Sequence, residues 1–100
     1  MDTSKLFIGR VGRDPELKYT QDQVPVCYLN LAETIKGFEK PLWHKVVVWG
    51  KQAELCKVFL TKGTKVFVQG RIKNLSQSSN NNQNLKYEEI TADHVGFINL

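Results

Sequence analysis

Apolar and polar positions alternate along most of this chain, in runs of strand length. KLFIGRVG (5–12) reads as a short apolar strand whose glycines, at 9 and 12, suggest a bend or a close backbone approach. RDPELKYTQDQVP (13–25) carries two prolines and mixed charge, so it reads as mostly turn with room for a short edge strand. VPVCYLNLAETI (24–35) reads as a long strand, with Val26, Tyr28 and Asn30 on one face and Cys27, Leu29 and Leu31 on the other. KGFEKP (36–41) is a loop closed by Pro41, and WHKVVVW (43–49) is the next strand. The period then changes. KQAELCKVFLTKG (51–63) places Leu55, Val58 and Phe59 on one helical face, with Cys56 and Leu60 beside them, and Gly63 fits a helix stop. TKVFVQGRIK (64–73) returns to a strand pattern. NLSQSSNNNQN (74–84) is almost purely polar and reads as a long, mobile hairpin tip, after which LKYEEITADHVGFINL (85–100) closes the chain as a strand.

The order is β-β-β-α-β-β. An all-β chain with one helix inserted between the third and fourth of five strands has the layout of the OB-fold, a five-stranded Greek-key barrel. A ferredoxin-like fold needs a helix after the first strand, and none is visible there. At 100 residues the chain is expected to be a single domain spanning 1–100. Its 41% hydrophobic and 24% charged residues suit a globular protein. No apolar stretch approaches the roughly 18 residues of a membrane span, and MDTSKLFIGR lacks the apolar core of a signal peptide. Cys27 and Cys56 are the only cysteines, with no C-x-x-C pair and neither histidine nearby; two buried free thiols are expected, and no metal or cofactor.

The net charge of +4 and isoelectric point of about 9.2 favour a polyanionic partner without establishing one. Catalytic chemistry finds little support. No serine or cysteine has a histidine ordered near it, no phosphate-binding glycine loop is present, and the adjacent Glu88 and Glu89 point to opposite strand faces. We therefore expect a protein that is not an enzyme. In the 43–49 strand, Trp43, Lys45, Val47 and Trp49 share one face and His44, Val46 and Val48 the other. The tryptophans are either core or a surface for stacking. Lys45 between them favours the surface, because bases stack on aromatic rings while lysines follow phosphates. In 64–73, Lys65, Phe67, Gln69, Arg71 and Lys73 alternate with Val66, Val68 and Ile72, which gives either a merely solvated strand face or a cationic one with an aromatic. Lys36 and Phe38 lie on the 36–41 loop, and Arg10 and Arg13 bracket the first turn.

Three stretches then carry a resemblance: LFIGRVGRDPELKYT, WHKVVVWGKQAEL and LTKGTKVFVQGRI. Over nearly its whole length the chain resembles bacterial single-stranded DNA-binding proteins. The resemblance implies a cytoplasmic, nucleoid-associated homotetramer, with a dimer as the lesser possibility. Such a protein coats single-stranded DNA with little sequence preference in replication, recombination and repair. Carried over by position, it makes Trp43 and Trp49 stacking residues and Phe38 a further one, with Lys45, Arg71 and Lys73 as phosphate contacts. The residue pattern itself adds Phe67 as a stacking candidate and Arg10, Arg13 and Lys36 as phosphate contacts. His44 becomes structural, near a subunit contact, and strand 5–12 pairs between subunits. Two departures stand out. NLSQSS has no aromatic where the family often has one, and the chain stops at GFINL, as either a naturally short protein or a fragment, so replication or repair proteins stay open as partners while these residues show no tail motif to recruit them. The alternative reading is a primosomal-type OB-fold replication-restart adaptor. A cold-shock-like RNA-binding protein ranks below both, because its aromatic motifs are missing.

Overall fold

A computed structural model describes residues 4–78 and 84–98, with side chains placed for 4–73 and 89–98. The elements are β1 (Ser4–Val11), β2 (Glu16–Tyr19), β3 (Pro25–Glu33), β4 (Leu42–Trp49), α1 (Lys51–Phe59), β5 (Lys65–Ser78) and β6 (Asn84–Phe97). The strands form one sheet in the order β1-β5-β6-β4-β3-β2, and a further β1–β3 pairing closes it. Five strands make a closed barrel, while short β2 extends the sheet beyond β3. Only the β4–β6 pairing is parallel among the described ladders. The helix falls between the third and fourth barrel strands, as the OB-fold expectation requires.

Alternation fills the barrel. Phe7 and Val11 of β1, Cys27, Leu29 and Leu31 of β3, Val46 and Val48 of β4, Val66 and Val68 of β5 and Ile90 of β6 make one buried cluster. Both cysteines are free and buried, as expected. Closure depends on Gly9, where the backbones of β1 and β3 come so close that a Cβ would lie 2.4 Å from the Ala32 carbonyl oxygen. β1 meets β3 only at Arg10 and Val11, so the ladder to β3 leaves Ser4–Gly9 unpaired on that edge. On the outside of the same strand, Leu6 and Ile8 are exposed.

Two expectations are corrected. The helix ends at Phe59, not at Gly63, and Leu60 already has extended backbone, its N–H bonded to the Cys56 carbonyl. Gly63 instead takes a positive φ in the turn that follows, between Thr61 and Thr64. The buried helical face is Ala53 and Cys56, continued by Leu60, whereas Leu55, Val58 and Phe59 are exposed. Small residues let the helix backbone approach the barrel wall, so the bulkier stripe turns outward. Within the polar stretch 74–84, residues 74–78 and 84 are strand: β5 runs to Ser78, paired with Asn84. A hairpin ladder is held by backbone hydrogen bonds, which polar side chains do not prevent. For residues 79–83 the expectation of a mobile tip falls outside the described residues.

Candidate nucleic-acid interface

Strand β4 has one side in the barrel and one on its surface. His44, Val46 and Val48 point inward. Trp43, Lys45 and Trp49 point outward, and the two indoles are 58% and 47% exposed. Val47, between them, is buried on this outer side. Trp43 has a defined seat, because a Cβ on Gly12 would lie 2.3 Å from Cζ3 of its ring. The indole therefore lies against the turn after β1. Trp49 sits opposite Val26 at the end of β4, just before the positive-φ Gly50 that leads into α1.

Strand β3 continues this surface. Tyr28 faces Val47 in the register, Asn30 faces Lys45 and Ala32 faces Trp43. A groove of about 370 Å³ opens there, lined by Arg13, Asp14, Glu16, Lys18, Tyr28, Asn30 and Lys45. The Lys45 ammonium lies 5.5 Å from the centroid of the Tyr28 ring, and the Lys18 ammonium 5.9 Å from it. Carboxylates hold both cations: Glu16 at 3.1 Å from Lys18 and Glu89, across the parallel β4–β6 pairing, at 3.9 Å from Lys45. The hydrogen bond from Lys18 to Glu16 raises the lysine pKa above its usual value. Such exposed pairs contribute little because water screens them, so a phosphate can displace them.

The other residues singled out in the sequence are distributed unevenly. Arg13 lines the groove. Phe38 is 70% exposed on the loop before β4, beside the positive-φ Gly37, and Lys36 is exposed on the same loop. Lys73 stands opposite Glu89 on β5, so Glu89 lies between Lys45 and Lys73 across three strands. Arg71 stands opposite Thr91 and bonds Asp93 at 3.3 Å, next to the bulge in the β5–β6 ladder. The structure does not bring Phe67 and Arg10 to this surface. Phe67 is half-buried over Gly96, where a Cβ would lie 2.2 Å from its ring, and its β1 neighbour is Ile8. Arg10 donates to the Gly63 carbonyl oxygen at 3.0 Å, alongside Lys65.

His44 is 4% exposed inside the barrel. Its Nε2 shares a hydrogen bond of 2.9 Å with Oε1 of Glu33, and its ring packs 5.0 Å from that of Phe7. Those contacts account for a structural residue. Sequence reasoning gave no role to Tyr28, Asn30 or Lys18, which line the groove. The parity of VPVCYLNLA already put Tyr28 and Asn30 together, but only the β3–β4 register sets them beside Lys45.

None of the described helices is long and apolar enough to cross a membrane. The model of the single-strand binding protein family matches residues 3–98. Among curated relatives, "Single-stranded DNA-binding protein 1" of Chlorobaculum tepidum is 36% identical over 90 residues, covering 82% of this chain and 55% of the relative. "Single-stranded DNA-binding protein 1" of Synechocystis sp. is 41% identical over 70 residues, covering 67% of this chain and 58% of the relative. The chain thus spans little more than half the length of these relatives. With a family match over nearly every residue and an OB-type barrel carrying exposed aromatics between cations, the chain belongs to the single-strand binding protein family.

Proposed function

We propose that this chain binds single-stranded DNA with little sequence preference and coats exposed strands during replication, recombination and repair. The observation that carries this reading is the outward placement of Trp43, Lys45 and Trp49 on one barrel strand, with both indoles about half exposed. Exposed aromatics that could have been packed away mark a binding surface. Stacking is indifferent to base identity, and cations beside the rings meet the phosphates. In this reading Trp43 and Trp49 stack bases, and Phe38 adds a ring from the loop. Lys45, Arg13 and Lys36 contact phosphate near the rings, while Arg71 and Lys73 carry the path across β5. The hundred residues act as one DNA-binding domain without catalysis, in the bacterial cytoplasm. The relatives are named for the same ligand.

The assembly proposed is a homotetramer. Support comes from β1, whose edge toward β3 is unpaired over Ser4–Gly9 and whose outer face exposes Leu6 and Ile8. An open apolar edge needs a partner strand. Phe67, paired with Ile8 of that strand, and Arg10, on the strand itself, are assigned to this contact and not to DNA. Light scattering should give a mass near four chains; a mass near two would favour the dimeric adaptor.

Anisotropy of labelled oligothymidine, against a duplex of equal length, tests the function. The oligothymidine should bind more tightly, and log K should fall with log salt by about 0.7 per phosphate contacted. Equal affinity for duplex would overturn the proposal.

A further inference from the structure

We propose that Tyr28 is a third base-stacking platform, filling the gap between Trp43 and Trp49, with Lys18 and Lys45 as the cations that hold the backbone of the same nucleotides. The inference rests on the reading of this face as a single-stranded DNA surface, and it adds a residue on a neighbouring strand.

The gap is geometric. Trp43 and Trp49 are six positions apart on β4, which at about 3.3 Å per residue separates them by roughly 20 Å. A stacked single strand, at about 3.4 Å per phosphate, passes several bases over that distance. Between the tryptophans, β4 itself offers only Lys45 and the buried Val47 on the outer face. Directly across from Val47 on β3 the register places a ring, that of Tyr28.

Its surroundings suit a ligand better than a core. Tyr28 is only partly buried, lies on the outer side of the barrel and takes no part in the core cluster. It lines a groove of about 370 Å³ whose walls carry three cations, Arg13, Lys18 and Lys45. Two of those ammonium groups lie within 6 Å of the Tyr28 centroid, at 5.5 and 5.9 Å. An exposed cation–π contact is weak, of the order of a single thermal step or two, whereas a phosphate offers full charge. When phosphate enters the groove, Lys18 and Lys45 turn to it and free the ring for a base. Arg13 completes the cationic wall, and the Asn30 amide lies within the same groove. Asp14 and Glu16 line the same groove, Glu16 at 3.1 Å from Lys18 and Asp14 accepting a hydrogen bond from the Lys62 N–H at 2.9 Å. The ligand class is a nucleobase of an unpaired strand, since a base inside a duplex has no free face to offer.

Two variants and one measurement on the unaltered protein test this. Tyr28→Leu keeps apolar bulk and removes the ring; Tyr28→Phe keeps the ring. Oligothymidine affinity should fall roughly 5- to 150-fold for Tyr28→Leu and stay within about twofold for Tyr28→Phe. Full affinity in a folded Tyr28→Leu overturns the proposal. If that variant does not fold, photocrosslinking of 5-iodouracil oligonucleotide to the unaltered protein decides: adducts at Tyr28 are expected, and adducts at Trp43 or Trp49 without any at Tyr28 overturn it. Failure of the broader reading looks different, because then the unaltered protein does not bind oligothymidine at all.

Discussion

Replacing Gly12 by alanine asks whether Trp43 works from a fixed seat. The new Cβ would lie 2.3 Å from Cζ3 and 2.7 Å from Cη2 of the indole, where ordinary contact begins at 3.4 Å. The ring must therefore retreat by about 1.1 Å. Gly12 is not among the positive-φ residues, so alanine suits the backbone and the whole conflict falls on the indole. Trp43 is 58% exposed and can yield without opening the core, so stability should change by less than about 1 kcal/mol. A displaced ring loses part of a stacking interaction worth roughly 1–3 kcal/mol. We expect Gly12→Ala to weaken oligothymidine binding by about 1 kcal/mol, near fivefold, in an anisotropy titration. The double-mutant cycle isolates the cause. In a Trp43→Ala background, Gly12→Ala should cost nothing further. An equal loss in both backgrounds, or unchanged affinity in the single variant, would mean that Gly12 does not act through the Trp43 ring.

Other predictions follow from named contacts. Glu89→Gln removes the carboxylate 3.9 Å from Lys45, and with exposed pairs worth about 0.2–1 kcal/mol, oligothymidine should bind up to about fivefold more tightly at low salt; weaker binding would show that Glu89 positions Lys45 and does not compete for it. Gly9→Ala drives a Cβ to 2.4 Å from the Ala32 carbonyl oxygen, a backbone conflict that should destabilise the barrel by about 1–3 kcal/mol in urea unfolding, and an unchanged midpoint would contradict the closure described. Burial pushes the Cys56 thiol up from 9.0 to about 12, with Cys27 beside it adding to the rise. Because the folded pKa lies above the unfolded one, the unfolded chain loses its proton first, so stability should decline as pH climbs from about 9 toward 12; Cys56→Ala should flatten that decline.

The fold was legible because its strands alternate cleanly. VVV flanked by tryptophans, and VFV flanked by glutamine and lysine, each admit one inward face, and the structure uses those faces. Gly9 declared the close approach that closes the barrel. The helix was legible as a helix but not by its buried side. Hydrophobicity selects Leu55, Val58 and Phe59, while the space against the barrel selects the smaller Ala53 and Cys56. Polarity misled at 74–78 and at 84, which are paired in the ladder. Of the site, parity put Trp43, Lys45 and Trp49 on one face, and Lys45 together with the family resemblance turned that face outward. What parity cannot supply is register between distant strands. Glu89 reaches Lys45 through a parallel pairing, and Phe67, on an equally cationic face, is carried to the β1 side. The two faces read alike in one dimension and diverge only once the sheet closes.

For contact between the β4 outer face and single-stranded DNA, the chain carries its own reporter. Trp43 and Trp49 are its only tryptophans, and both lie on that face. Adding oligothymidine to the unlabelled protein should quench tryptophan emission along the same curve that anisotropy gives for binding, and duplex at equal salt should leave the emission nearly unchanged. Binding of oligothymidine with no change in tryptophan emission would place the DNA elsewhere and contradict the account.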